Sequence, residues 1–190
     1  MLLNLFSSDG PVDNLDFPEF AAPVLPGDPN STKSFGGTIR QSQIRLQAFG
    51  PDVAGAHTRA DVKFDFAGGF PQAPNGVLLG IARLRTGTVR LDWANTSVVA
   101  GQDGLFFAPT SATSAAALAV PALSYSGNLW GWTPQVRVEH RFKMSESSQI
   151  EVQGGILDSL SGHIPEEQYK RSSSWGEQSA GPAYAARVQY

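Results

Sequence analysis

The chain has 190 residues and a near balance of charge, with 14 Lys and Arg against 17 Asp and Glu and a formal net charge of -3. That balance gives no indication of wholesale binding to nucleic acid or to an anionic membrane surface. The absence of cysteine excludes disulfides, thiolate metal sites and cysteine nucleophiles. No run of about 18 apolar residues occurs, so no transmembrane helix is expected.

Residues 1 to 35 are predicted to form an extended, irregular lead-in. They hold five prolines and show no sustained period of either 2 or 3.6. The opening MLLNLF is not expected to be a secretory signal, because no Lys or Arg precedes it and no small-residue cleavage site follows it. Either the protein stays inside the cell, or Met1 is not the true start.

Residues 36 to 190 are predicted to form one β domain, because apolar and polar residues alternate there with a period of two. The clearest strand is HTRADVKFDF, residues 57 to 66. Successive side chains of a strand point to opposite faces, so this segment has one dry face and one wet face. The dry parity holds Val62, Phe64 and Phe66, and the wet parity holds only charged residues, namely Arg59, Asp61, Lys63 and Asp65.

Further segments alternate in the same way and complete an antiparallel meander of about eight strands. They are GTIRQSQIRLQAF, VLLGIARLRTGTVRLDW, NTSVVAGQ, PQVRVEHRF, SQIEVQGGIL and AYAARVQY. In the second of these, Arg83 and Arg85 share one parity, whereas Arg90 and Asp92 share the other. The switch falls at TGT, where Gly87 is suited to a bulge or a tight turn.

The connections between these strands are predicted to alternate between short turns and long loops. Residues 103 to 123 are rich in small residues and read as a long loop, in which residues 114 to 119 could form a short helical turn. Residues 158 to 182 form a long polar loop before the last strand. No helix of two turns or more is expected, and no repeat of 20 to 50 residues is visible, which argues against a propeller or solenoid.

Two environments fit strands that are apolar on one face and charged on the other. The apolar face can pack on the core of a soluble sandwich, or it can meet lipid while the charged face lines a water-filled barrel. Long strands, unequal connections and aromatic residues near strand ends favour the barrel. These aromatic residues are Trp93, Trp130, Trp132, Phe106 and Phe107.

An ordered series of motifs over about residues 36 to 190 resembles the DcaP-like family of outer-membrane porins, and more distantly the phosphate-selective porins. The series runs VVAGQD, LFFAP, a small-residue loop, LSYSGNLWGWTPQVRVEHRF and IEVQGG. In such proteins a strand ends in Gly-Gln and the next carries a Pro-Gln-hydrophobic-Arg pattern. The matching positions here are Gly101, Gln102, Pro134, Gln135, Val136 and Arg137.

The resemblance implies a large antiparallel barrel in the outer membrane of a Gram-negative bacterium, often trimeric, that passes small organic anions such as dicarboxylates. This chain is shorter, because a porin would need roughly twice the number of strands counted here. A fragment of a larger barrel is therefore expected. The ending YAARVQY, with its aromatic last residue, instead fits a complete small eight-stranded barrel with a structural role.

The candidate functional residues are arginines of the wet face, predicted to line the pore and attract anions. Rings of Arg inside a pore favour anions through their field and through bidentate pairing with carboxylate or phosphate. The alternative is that they pair with Asp61, Asp65, Glu139 and Glu151 across strands and only stiffen the wall. The candidates are Arg45, Arg59, Arg83, Arg85, Arg137, Arg141 and Arg187.

No enzymatic activity, cofactor or metal is expected. His57, His140 and His163 have no metal-binding spacing, and no phosphate-binding loop or nucleophile motif occurs. The expected function is an outer-membrane porin-like channel for passive diffusion of small, anionic solutes. The rivals are a soluble or surface β-sandwich that binds carbohydrate or protein, and the complete small barrel.

Overall fold

The structure is a computed structural model, and it describes most of the chain. The described residues are 1–16, 18, 21–24, 26–27, 33–69, 80–114, 116–122, 124, 126–160 and 172–190. Within them the protein is all-β and contains no α-helix, as the alternation predicts. The only other regular element in these ranges is a single 3₁₀ turn, Glu177–Ser179.

Nine strands are present in the described part of the chain. They are β1 Asn4–Ser8, β2 Ser34–Thr38, β3 Ile44–Phe49, β4 His57–Asp65, β5 Arg83–Asp92, β6 Thr96–Gly104, β7 Trp132–Lys143, β8 Gln149–Leu157 and β9 Ala183–Gln189. Strands β4 to β9 coincide with the segments predicted from alternation. The predicted strand GTIRQSQIRLQAF is instead divided, with β2 and β3 on either side of residues 39 to 43.

The strands form two sheets. A two-stranded sheet pairs β1 with β2 in antiparallel register, from Asn4 opposite Thr38 to Ser8 opposite Ser34. Its first strand lies in the segment where the sequence predicts no regular element. The second sheet has seven strands in chain order, from β3 to β9, which is the predicted meander.

The seven-stranded sheet is not closed, and β3 and β9 are its edges. An antiparallel meander with an odd number of strands has edge strands that run in the same direction. Direct pairing between β3 and β9 would therefore be parallel, and no such pairing occurs among the described residues.

Short and long connections alternate along this sheet. Residues 50 to 56, 93 to 95 and 144 to 148 are the short turns, and they all lie at one end of the strands. Residues 66 to 82, 105 to 131 and 158 to 182 are the long connections at the other end. The small-residue loop predicted at 103 to 123 thus extends to Gly131. Of the predicted helical turn at residues 114 to 119, one backbone hydrogen bond is present among the described residues, from Ala117 N–H to the Ser114 carbonyl, and residue 115 lies outside them.

The chain divides into two compact units. The first comprises residues 1–46, 63–85 and 110–130, and the second comprises residues 47–62, 86–109 and 131–190. Each unit contains a cluster of charged side chains, around Asp65 in the first and around Glu139 in the second. The division at residue 35 that composition suggests stays a prediction.

In the ladder from β6 to β9, the large apolar side chains of one face are exposed on β7, β8 and β9, and the opposite, polar face is largely covered on β6 to β8. Val138 lies opposite Val98 and Gly154 on the apolar face, and it is 47% exposed. Its neighbour Glu139 lies opposite Ser97 and Gln153 on the other face, and it is only 4% exposed. A sheet of a water-soluble protein normally buries its apolar face, so this arrangement is inverted.

Strand β5 changes phase in its middle. Arg83 and Arg85 reach Asp65 of β4, whereas Asp92 reaches Arg59, which has the same parity as Asp65 on that strand. Odd-numbered residues at the start of β5 and the even-numbered Asp92 at its end therefore contact the same face of β4. A regular strand alternates faces, so one additional residue, a β-bulge, must lie between Arg85 and Asp92. The strand is continuous from Arg83 to Asp92, so the predicted tight turn at TGT is absent and the bulge accounts for the switch.

Gly101 of β6 fits closely against this part of β5. It lies opposite Thr88, its φ is +130°, and a Cβ atom there would collide with the Gly87 carbonyl oxygen. Only glycine adopts this backbone conformation readily and permits the approach. The ladder between β5 and β6 therefore depends on the absence of a side chain at this position.

We expect Gly101→Ala to lower the free energy of unfolding by about 2 kcal/mol or more, because it combines a strained φ with a backbone clash. The matched control is Gly154→Ala on β8, where the space beside the Cα atom is open and φ is not positive. Chemical denaturation followed by circular dichroism measures both. Equal midpoints for the two variants would contradict the role assigned to Gly101.

Candidate functional site

The first charge cluster lies in the first unit and is called the Asp65 cluster; it consists of Asp65, Arg83 and Arg85. Asp65 ends β4 and its side chain is fully buried. Arg83 donates from Nε to one carboxylate oxygen at 3.1 Å and from Nη2 to the other at 2.7 Å. Arg85 Nη1 donates to the second oxygen at 3.1 Å. Two guanidinium groups share one carboxylate, so the cluster has a formal charge of +1.

The same two arginines hold a segment of the long loop between β6 and β7. Arg83 Nη2 donates to the Ala119 carbonyl at 2.6 Å, and Arg85 Nη1 donates to the Leu118 carbonyl at 2.7 Å. Each guanidinium group therefore bridges a buried carboxylate and a backbone oxygen of the loop. The arrangement orients both groups in a fixed plane, since a guanidinium presents its donors as a rigid fork.

Gln41 holds this loop from the other side. Its side chain is almost fully buried, at 1% exposure. Its Nε2 donates to the Asp16 carbonyl at 2.7 Å and to the Ala116 carbonyl at 2.9 Å. Its Oε1 accepts the Ala119 N–H at 2.8 Å. Gln41 thus connects the lead-in to the loop through both ends of its amide group.

The second charge cluster lies in the second unit, has Glu139 at its centre and is called the Glu139 cluster. Glu139 accepts Arg137 Nε at 2.8 Å and Arg90 Nη2 at 2.7 Å. Arg137 Nη1 also lies 2.8 Å from an Asp103 oxygen, and Arg90 Nε lies 2.6 Å from Asp92. The members are Arg59, Arg90, Arg137, Asp92, Asp103 and Glu139.

The Glu139 cluster is balanced in charge, with three arginines against three acids. Arg59 is its outermost member, 3.8 Å from Asp92 and 40% exposed. The β6 residue Val99 is 2% exposed and lies between Arg90 and Arg137 in the ladder, where the apolar stems of these arginines can cover it. Cross-strand pairing of this kind stiffens a wall without giving it a net charge.

Arg137 also anchors the beginning of the long loop after β6. Its guanidinium carbon lies 5.8 Å from the centre of the Phe106 ring, and Phe106 is 5% exposed. The neighbouring Gln135 donates from Nε2 to the Gly104 carbonyl at 2.8 Å. A stacked cation and a buried aromatic ring hold the loop base against β7.

Three of the predicted arginines lie outside these clusters. Arg141 of β7 donates to Ser97 Oγ at 3.1 Å and forms no ion pair within the described ranges. Arg187 of β9 lies opposite Gln153 and donates to Gln189. Arg45 is exposed on the edge strand β3. The pore-lining role of all seven arginines stays a prediction.

Sequence reasoning missed three kinds of participant. Arg90 and Asp92 were visible as a same-parity pair, but not as partners of Glu139. Asp103 is the last charged residue before the small-residue loop, and nothing local marks it as a partner of Arg137. Gln41 carries no local signal at all, because its partners in the loop lie 75 and 78 residues further along the chain.

Among the described residues, the remaining titratable side chains do not form a metal site. His57 Nδ1 lies 2.6 Å from Asp52 in an exposed pair, and His140 Nδ1 lies 2.8 Å from Thr96 Oγ1. No group of three His, Asp or Glu suited to a metal ion occurs where the structure describes the chain. The prediction about His163 falls outside the described residues.

Comparisons with known proteins provide no assignment. No protein-family model matches the sequence, and no curated protein or solved structure matches it significantly. Among the described residues, no helix is long and apolar enough to cross a membrane.

We expect Asp65→Asn to destabilise the fold by about 3 kcal/mol, because it leaves two largely buried guanidinium groups without their carboxylate. Asp52→Asn is the matched control, since its pair with His57 is exposed and exposed pairs contribute little. Urea titration of both variants makes the comparison. Should Asp65→Asn be no more destabilising than Asp52→Asn, the Asp65 cluster would not be a structural centre.

Proposed function

We propose that this chain forms part of the wall of an outer-membrane porin-like channel for the passive diffusion of small anionic solutes. The observation that carries the proposal is the inverted amphipathic sheet. On β7, β8 and β9 the large apolar side chains of one face are exposed, whereas on β6 to β8 the charged and amide side chains of the opposite face are largely covered. Lipid on one side and an enclosed wet space on the other is the environment in which such a sheet is stable.

The size of the apolar face suits a bilayer. On β7 it runs from Val136 through Val138 to Phe142, a distance of about 20 Å at the usual rise per residue. Aromatic side chains stand near both of its ends. Tyr184 lies opposite Ile156 near the long connections, and Phe142 lies near the short turns, each substantially exposed. An apolar band of about 25 Å with aromatic girdles is typical of outer-membrane strands.

The connections support the same proposal. Outer-membrane barrels have short turns on the periplasmic side and long loops on the outer side. The alternation of short turns and long connections in this sheet has that asymmetry. A bacterial outer-membrane location and a trimeric assembly of the full-length protein follow from the resemblance to DcaP-like porins, and they belong to the proposal.

The preference for anions rests on the uneven distribution of charge. The Asp65 cluster has an excess of one guanidinium group, whereas the Glu139 cluster is neutral. Arg141 adds a positive charge on the polar parity of β7. Guanidinium groups on a wet face, such as that of Arg141, attract carboxylate and phosphate solutes. We infer dicarboxylates as the first class of solute to test.

We expect Val138→Arg to impair insertion into phospholipid vesicles, because a cationic side chain facing lipid costs about 2 to 4 kcal/mol near the bilayer midplane. The matched control is Val53→Arg, which makes the same change at an exposed position in a short turn. Protease protection of vesicle-inserted protein measures insertion. Equal insertion of Val138→Arg and Val53→Arg, or no insertion of the wild-type protein, would contradict a lipid-facing position for Val138.

We expect Arg141→Gln to lower the anion-over-cation permeability ratio, because it removes a positive charge from the wet face. Glu151→Gln should raise the ratio, since Glu151 lies opposite Arg141 on the neighbouring strand. The double variant should return towards the wild-type value. Reversal potentials in planar bilayers under a salt gradient provide the measurement, and an unchanged ratio in both single variants would remove the claim of selectivity.

A further inference from the structure

Residues 112–114 and 116–122, here called the plug segment, are held in place mainly by side chains of other parts of the chain. A backbone hydrogen bond of 3.0 Å from Ala122 N–H to the Ala112 carbonyl closes it into a loop. Ala117, Ala119 and Val120 are buried although they belong to no strand. Small apolar side chains bury little surface, so polar contacts have to account for most of this order.

Gln41 supplies the contacts that are hardest to replace. It bonds both the Ala116 carbonyl and the Ala119 N–H, and Gln43 Nε2 adds a contact of 3.2 Å to the Leu118 carbonyl. Because Gln41 is nearly inaccessible to water, its loss would leave these backbone groups without a partner. Gln41 therefore holds the plug segment closed through these two hydrogen bonds, and this role is called the latch.

Arg83 and Arg85 contact the plug segment in the way that they would contact an anion. Their Nη atoms are directed at the carbonyl oxygens of Ala119 and Leu118, at 2.6 and 2.7 Å. A carboxylate or phosphate also presents two oxygens to a pair of guanidinium groups. Hydrogen bonds to an ionised oxygen are roughly twice as strong as those to a neutral carbonyl. An anion would therefore compete with the plug segment for these donors.

We propose that the Arg83 and Arg85 pair is an anion-binding site that the plug segment occupies, and that Gln41 is the latch that keeps it occupied. The ligand class is a small carboxylate or phosphate anion. This inference rests on the proposed function in one respect, because it takes the displacing anion to be the permeating solute. Release of the plug segment would free the donors that Arg83 and Arg85 direct at the Ala119 and Leu118 carbonyls.

The natural absence of cysteine permits a direct test by thiol labelling. Ala117→Cys places one thiol in the buried plug segment, and its reaction with a small neutral maleimide reports how often the segment opens. Thr113→Cys, at an exposed position of the same loop, calibrates the reagent. The full chain folded in vesicles is labelled in chloride and in succinate at equal ionic strength.

Labelling is compared between the parent Ala117→Cys protein and the same protein with Gln41→Leu, which keeps the volume and removes the hydrogen bonds. We expect Gln41→Leu to accelerate labelling about tenfold or more, as the loss of its two hydrogen bonds to the plug segment predicts. Gln47→Leu, at an exposed position of β3, is the matched control and should leave the rate unchanged. An equal rate in the Gln41 and Gln47 variants would overturn the latch.

Succinate should accelerate labelling of the parent protein severalfold over chloride, and Arg85→Gln should abolish that difference. An equal labelling rate of the parent protein in chloride and in succinate would overturn the anion site. This comparison does not use the Gln41→Leu variant, so it holds even if that variant fails to fold. Planar-bilayer conductance separates this inference from the proposed function. A wild-type protein that forms no channel would refute the proposed function, whereas the two labelling comparisons would still decide the latch and the site.

Discussion

Guanidinium and carboxylate groups that are covered on one face of a sheet have to find partners on that face, because an unpaired charge out of water costs far more than a pair gains. This constraint accounts for both charge clusters. Asp65 is saturated by two arginines, and Glu139 receives one arginine on each of its oxygens. The need of these side chains to pair with one another therefore explains the positions of the charges along β4, β5 and β7.

The two clusters satisfy this constraint with different stoichiometry. In the second unit the arginines and acids are equal in number, so the cluster can brace neighbouring strands without a net field. In the first unit two arginines share Asp65, and backbone carbonyls of the plug segment accept further hydrogen bonds from them. The Asp65 cluster therefore depends on backbone carbonyls of the long loop as well as on a carboxylate.

Exposed apolar side chains are subject to a corresponding constraint, because they have to be covered by something other than water. Its exposed Val, Ile, Phe and Tyr side chains have no partner within the described chain, and an apolar surface of this extent is stable only against lipid or another protein. His140, the polar residue in the middle of that face on β7, is accommodated because Thr96 bonds its ring. The long connection that contains the plug segment makes specific hydrogen bonds to side chains of other parts of the chain.

Much of the fold could be predicted from the sequence, because the alternation of a strand is a local property. Period two identified β4 and β6 to β9, separated the Arg and Asp parity from the Val and Phe parity, and located the change of phase at Gly87. The antiparallel meander followed from the order of those segments and their connections. Charged residues on one parity also indicated that arginines would meet acids across strands, which the Asp65 and Glu139 clusters confirm.

Other features depended on residues that are distant in sequence. The pairing of β1 with β2 joins residues 4 to 8 with residues 34 to 38, and no period marks either segment strongly enough to predict it. Gln41 resembles any other glutamine of an alternating strand until the fold brings Ala116 and Ala119 to its amide group. Alternation alone determined that the sheet has two unlike faces. Which face is covered was decided only by the tertiary structure, because burial depends on what the rest of the chain places against each face.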